Sequence, residues 1–328
     1  MGLAELSGRA GRPLAGESNS DVKISMEPRS TSRSATPDSF DAVELTLHQA
    51  WLVAELVGAG EYPSSLFITA PFAPGHVAEP VISHVRQELV ELGVIGPDGK
   101  VDKRVASWVS AVCAAQQFFE ARTVRGDKNV MDVGSNQLHA FIAHNDSQTV
   151  VAMRAGGLVT FTQLGSPHPK TLASVLTAGL PGAKPAKFRQ FALPTAAGAK
   201  ADERLRRGAA PEAVLAELGL SEEARTTLKA MLDGRRSFVE ISFGARLRKT
   251  DRVGIGVLDT ALGRVLVAPS RAPDGQWLST FSPGTTPAIA AAVQQLAETQ
   301  LAQAERNEEK QCGGKFSSTT DSQWKEAR

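Results

Sequence analysis

Twice in this sequence a group of helical segments is followed by four short alternating segments and then by one more helix. The connections between the alternating segments are too short for a crossover, so each must return antiparallel to the one before it. That confines the chain to antiparallel sheet with helices laid on its faces, an α+β architecture. The clearest instance lies near the C-terminus. Val265 and Val267 alternate within Arg264 to Ser270, and Ala272-Pro273-Asp274-Gly275 then supplies a preset φ, a side chain able to bond its own backbone, and a residue free to take positive φ. Gln276 to Ser282 resumes the alternation with Trp277, Ser279 and Phe281 on one side, and Pro283-Gly284 ends it. Thr286 can cap the helix that follows, Pro287 fits its first position, and Ile289, Val293 and Leu296 recur at helical spacing.

The same grammar organises the rest. Residues 1–42 are rich in Ser, Arg, Gly and Pro without sustained periodicity, and they read as a disordered leader in which Met26 offers a second start. Thr46 and Gln49 form a capping box for a helix over Leu47 to Val57 that is apolar on two sides. Helices are expected over Ala78 to Leu92 and Asp102 to Gln116, strands over Gln117 to Val124, Gln137 to His144, Thr149 to Arg154 and Gly157 to Leu164, then a helix over Lys170 to Ala178. After the Pro/Gly-rich link at Gly179 to Pro185 come helices near Ala196 to Arg207, Pro211 to Leu218 and Glu222 to Leu232. Strands follow at Arg236 to Arg248, Arg252 to Leu258, Arg264 to Ser270 and Gln276 to Ser282. The expected fold is therefore pseudo-two-fold: helices, four antiparallel strands and a helix, duplicated, with the sheets flanked by helical bundles and able to merge into one. The domain spans 43–304 in two similar halves, 43–180 and 186–304, and 305–328 reads as a disordered tail.

Composition narrows the chemistry. With Lys+Arg 36 against Asp+Glu 35 the net charge is +1, so no whole-molecule field favours nucleic acid or an anionic membrane. Cys113 and Cys312 are the two cysteines, forming neither a disulfide framework nor a metal knuckle. No apolar run reaches the length of a membrane span, and the N-terminus lacks the apolar core of a signal peptide, so a cytoplasmic location is expected. The six histidines are scattered, and His139 and His144 point to opposite faces of their strand. Gly254-Ile255-Gly256 lacks the third glycine and following helix of a dinucleotide site, and Gly165-Ser166-Pro167-His168 lacks nucleophile-elbow spacing. No catalytic residue, cofactor or metal site is expected.

One constellation remains. Val239, Ile241, Phe243, Ala245 and Leu247 alternate with Glu240, Ser242, Gly244 and Arg246, and Val253, Ile255 and Val257 alternate with Arg252, Gly254 and Gly256. Matching apolar to apolar opposes Leu247 with Val253 and Phe243 with Val257, with Lys249-Thr250-Asp251 as the loop. The same parity carried onward puts Val265, Val267, Trp277 and Phe281 on the core face and Leu266, Ala268, Leu278 and Thr280 on the other. Strand glycines weaken a sheet and mark close approach by another chain segment. Either a helix of this chain packs on them, or a partner does; in the second case Arg235, Glu240, Ser242, Gly244, Arg246, Arg252, Gly254 and Gly256 form the site.

Leu45-Thr46-Leu47-His48-Gln49-Ala50-Trp51 with Gly58 to Pro63, Glu91-Leu92-Gly93-Val94-Ile95 before Asp98-Gly99, and Gly263 to Gly284 followed by the Ala-rich helix occur in an order that resembles the EspG chaperones of type VII (ESX) secretion systems. The likeness covers about Val43 to Leu301. It implies a non-enzymatic cytosolic chaperone that binds the exposed tip of the PPE subunit in a PE–PPE heterodimer and keeps it soluble for secretion. It also implies that the central sheet and C-terminal helical bundle form the client surface, and that the free chain forms at most a weak homodimer. The competing reading is an α+β enzyme or small-ligand-binding protein whose polar residues converge only in three dimensions. A concave pocket with mutually bonded titratable groups would favour it, and a broad, shallow sheet face would favour the chaperone.

Overall fold

The computed structural model describes residues 41–71, 79–126, 137–145, 148–165, 168–232, 236–245 and 253–316, the last fourteen as backbone. Ten antiparallel strands form one open sheet, and among the described residues eight α-helices accompany it. The first half contributes β1 (Ala42–Thr46), α1 (Leu47–Val57), α2 (Glu79–Glu91), α3 (Lys103–Cys113), β2 (Gln117–Val124), β3 (Gln137–Asn145), β4 (Gln148–Ala155), β5 (Leu158–Leu164) and α4 (Pro169–Leu176). The second contributes β6 (Phe191–Pro194), α5 (Thr195–Arg206), α6 (Pro211–Ala216), α7 (Glu222–Leu232), β7 (Ser237–Ala245), β8 (Gly254–Thr260), β9 (Gly263–Arg271), β10 (Trp277–Pro283) and α8 (Thr286–Phe316). The strand order is β1-β5-β4-β3-β2-β7-β8-β9-β10-β6, so the two sheets read from sequence are one, joined at its centre by β2 and β7.

The elements start where local chemistry dictates. Thr46 Oγ1 accepts from Gln49 N at 3.2 Å while Thr46 N donates to Gln49 Oε1 at 2.9 Å, which satisfies two orphan groups at the start of α1. Asp102 accepts from Arg104 N and Val105 N at the start of α3. At the β9–β10 turn Gly275 takes φ +85° and donates to Ala272 O, and Asp274 accepts from Gln276 N at 2.9 Å.

Three apolar cores follow from two covered sheet faces. On one face, α1, α2 and α3 bury Leu52, Leu89, Val105 and Trp108 against Phe141, Ala152, Val159 and Phe161. On the same face at the other end, α5, α6 and α7 bury Ala201, Val214 and Leu228 against Phe238, Leu258, Val265 and Phe281. Across the sheet, α4 and α8 span the join of the halves, with Leu172, Leu176, Ile289 and Val293 packed on Phe119, Ile142, Ile241 and Val257. Near the link between halves, the buried Asp259 carboxylate accepts from Arg264 Nε at 2.6 Å and Nη2 at 2.9 Å. Arg264 also donates to Pro181 O and, through its main chain, to Lys184 O. The pair thus fastens 181–186 to β9.

Several expectations are corrected. β1 falls partly within residues read as leader, and Phe191–Pro194 had not read as a strand; each is short and pairs along one edge, the position where Pro194 is tolerated. The β7–β8 register opposes Val239 with Val257 and Ile241 with Ile255, not Phe243 with Val257, so Gly256 faces Glu240 and Gly254 faces Ser242. A period-two pattern survives an even slip unchanged, here one of four residues, so alternation set which face each side chain takes but not its partner. The parity carried beyond β8 is inverted: Val257 pairs with Leu266 and Leu258 with Val265, which puts Val265, Val267 and Phe281 on the face opposite Val239 and Ile241. Both faces are core here, so no polar face marks the parity. Trp277 is half-buried, with the Arg271 guanidinium 4.4 Å above its ring, rather than deep in a core. Finally, the α8 backbone continues through residues read as tail. The sequence Glu305-Arg306-Asn307-Glu308-Glu309-Lys310 lacks an apolar stripe but is mostly good helix formers, so the pattern spoke to packing rather than to helicity.

Candidate partner-binding surface

Between the two helical groups on one face, the middle of the sheet carries polar side chains in register. Arg154 of β4, His139 of β3, Arg122 of β2, Glu240 of β7 and Gly256 of β8 lie side by side. The neighbouring row holds Ala152, Phe141, Glu120, Ser242 and Gly254. Directly opposed residues of antiparallel strands project to the same side, so Glu120, Arg122, Glu240 and Ser242 form one strip. The strip is half-open. Arg122 donates to Glu240 Oε2 from Nε at 3.3 Å, with side-chain exposures of 47% and 32%, so this pair contributes at most about 1 kcal/mol of stability and can rearrange.

Five of the eight sequence-selected residues, Glu240, Ser242, Gly244, Gly254 and Gly256, share this face. Arg235, Arg246 and Arg252 lie outside the described residues. The glycines are not equivalent. Gly244 is opposed by Phe118, whose ring atoms would lie 2.6 Å from an added Cβ, so the chain's own aromatic covers it, and Phe118 in turn stacks on Phe141. At Gly254 an added Cβ would meet the Ile241 carbonyl oxygen at 2.9 Å, a close approach of backbone to backbone. Gly244 therefore answers to internal packing, while Gly254 and Ser242 remain half-exposed in the strip.

The first half adds residues that sequence reasoning missed. Arg154 Nη1 donates to Leu66 O at 3.1 Å, its guanidinium lies 5.4 Å from the Phe67 ring centre, and Phe67 meets His139 edge-on at 5.2 Å. Their convergence depends on the β2–β3–β4 register and on a turn at Ser64–Phe67 that precedes all three strands in the chain. The one signal available was parity, since His139, Phe141 and Ala143 share a face. Burial, then the charges of Arg154 and Arg122, lower the His139 pKa from 6.5 to about 4. Between those two values the unfolded chain binds a proton that the folded chain refuses, so stability falls as pH drops from about 6.5 toward 4. His139→Gln should remove this contribution. Urea midpoints at about pH 7 and pH 4.5 should fall less in the variant than in the wild type; equal falls would show that His139 protonates freely in the fold.

The concave sites lie on the other face. A pocket of about 250 Å³ opens between β8, β9 and α8, lined by Val253, Ile255, Ala268, Trp277, Ala292 and Leu296. A second, of about 220 Å³, is lined by Phe119, Ile142, His144, Leu172, Val293 and Ala297. Neither gathers a set of bonded titratable groups. Among the described residues no group of three or more His, Cys, Asp or Glu is placed to hold a metal ion, and no helix is long and apolar enough to cross a membrane.

Residues 46–295 match the model of the EspG family. The chain is 44% identical over 259 residues to the ESX-3 secretion-associated protein EspG3 of Mycolicibacterium smegmatis, covering 78% of this chain and 86% of that protein. It is 40% identical over 274 residues to EspG3 of Mycobacterium tuberculosis, covering 80% and 91%. Among solved structures, the Mycobacterium tuberculosis type VII secretion system chaperone EspG5 in complex with the PE25-PPE41 dimer superposes with a TM-score of 0.63 at 17% identity, covering 78% of this chain and 95% of that one.

Proposed function

The chain belongs to the EspG family, and from that membership we propose that it is a cytosolic, non-enzymatic chaperone that binds a PE–PPE heterodimer through the tip of its PPE subunit and holds it soluble for type VII secretion. The identities of 44% and 40% to two EspG3 proteins favour a client of an ESX-3-type system. The observation that carries the reading is the half-open polar strip of Glu120, Arg122, Glu240 and Ser242 on the sheet between two helical groups. A surface of this shape accommodates a protuberance of another protein rather than a small molecule. Covering an apolar client tip removes surface that would drive aggregation, at roughly 25 cal/mol per Å². No bond need be made or broken.

In this reading the binding unit is 43–304, and its halves, 43–180 and 186–304, are quasi-two-fold copies whose helical groups form the two walls of the site. Glu240, Ser242 and Gly254 form its floor beside the buried Gly256, and Arg235, Arg246 and Arg252 complete the proposed set of contact residues. The test is co-expression with ESX-3-type PE–PPE pairs followed by size-exclusion chromatography. One pair should co-elute with the chain as a stoichiometric complex; if no pair does, the reading fails.

A further inference from the structure

Phe67 sits where an aromatic side chain is costly twice over. It is 55% exposed, the most exposed of the large apolar residues described, and it takes φ +50°, the one non-glycine residue with positive φ among those described. The flanks explain how it is held. Leu66 is fully buried and Ile68 nearly so, which fixes the chain on either side and turns the intervening side chain outward. Phe67 N donates to Ser64 O at 3.1 Å to close the short turn, and Arg154 anchors Leu66 O from the sheet. A left-handed backbone in a bulky residue is strained, and strain of this kind persists where the surroundings over-determine it. Glycine or asparagine would meet the turn's geometry at lower cost, so the turn alone does not call for phenylalanine.

The ring stands beside His139 and Arg154, at the end of the row that continues through Arg122 and Glu240 into the strip. We propose that Phe67 is an anchor of the partner-binding surface, a ring presented on the first-half wall to receive an apolar side chain from the helical tip of the client. This rests on the chaperone reading above. The fixed turn removes the ordering cost that a flexible aromatic would incur on binding, which is how exposed rings become dominant contacts. The occupant is apolar because both nearby cations are already engaged, Arg154 with Leu66 O and Gly156 O and Arg122 with Glu240, leaving the exposed part of the ring as the uncovered feature. Those cations instead border it and favour a client whose tip residue is flanked by polar or acidic groups.

The test uses the full chain and the PE–PPE heterodimer that co-elutes with the wild type, read by isothermal titration calorimetry together with thermal melting. Phe67→Gly and Phe67→Asn both suit positive φ, so both should melt within a few degrees of wild type or above it, and both should weaken heterodimer binding at least tenfold. Phe67→Leu should keep most of the affinity. Wild-type affinity in either glycine or asparagine variant overturns the proposal. So does a large fall in melting temperature with affinity intact, because that assigns the ring to covering His139. If Ser242→Trp loses the heterodimer while Phe67→Gly retains it, the anchor fails and the chaperone reading stands; if the wild-type chain captures no heterodimer, both fall.

Discussion

Phe281→Ala should destabilise the protein by about 3 to 5 kcal/mol, the range for truncating a large aromatic in a packed core. Phe281 is fully buried and stacks on Phe191 at 4.8 Å with an interplanar angle of 8°, within the core that α5, α6 and α7 lay on the sheet. Phe191 lies on the edge strand β6, directly opposite Phe281, so the truncation leaves a cavity and also loosens the strand that closes the sheet. Trp277→Ala, four residues earlier on the same strand, should cost only about 1 to 2 kcal/mol. It forfeits a half-exposed ring and its contact with Arg271, which a surface cation–π pair values modestly. Urea titrations of the two variants settle the order. A larger loss at Trp277 than at Phe281 would show that the strand's deep anchor is at the β9–β10 turn and not at the β6 edge.

That contrast also marks how far alternation carries. On β7, where Glu240 and Ser242 interrupt Val239, Ile241 and Phe243, polarity names the strip face, and the structure keeps every one of those assignments. On β8 and β9 successive residues such as Val257-Leu258 and Val265-Leu266-Val267 are all buried, because helices cover both faces, and the pattern loses its sign. Trp277 and Phe281 alternate on one strand, but alternation says nothing of depth: Phe281 is fully buried and Trp277 half-exposed. The turns were legible from chemistry that acts over four residues: Pro273-Asp274-Gly275 and the capping box of Thr46 and Gln49 form as their side chains require. The merging of the sheets was not fixed by any local pattern. It depends on β2 pairing with β7 across more than a hundred residues, with Phe119 against Phe243 and Ala121 against Ile241.

The candidate surface divides the same way. Glu240, Ser242, Gly254 and Gly256 were found because they share one hairpin, where parity suffices. Arg122, His139, Arg154 and Phe67 come from four other segments and meet only once the strand order is known. Gly244 was selected for the right geometric reason, an empty position in a strand, yet the space belongs to Phe118. A glycine's sequence context does not reveal whether the atom that approaches it is internal or foreign.

Ser242→Trp should weaken heterodimer binding by more than about thirtyfold, near 2 kcal/mol and the scale of an interface hot spot, while leaving the fold intact. Ser242 is the position for this test because it already carries a Cβ directed into the strip, between Glu120 of β2 and Gly254 of β8, and it is only half-buried. Added bulk there fills the trough without asking the backbone to move. Gly254→Glu is the poorer probe, since its Cβ would press on the Ile241 carbonyl oxygen at 2.9 Å and confound loss of fold with loss of binding. Ser242→Glu should also weaken binding, by placing a carboxylate beside Glu120 and changing the charge that the client meets. Circular dichroism and melting should match wild type in both Ser242 variants, with the loss confined to calorimetric affinity for the co-eluting heterodimer. A folded Ser242→Trp chain that binds as wild type would move the client off the strip. In that event the sheet's polar centre would be a solvated gap between two helical groups, and the client would rest on their outer surfaces instead.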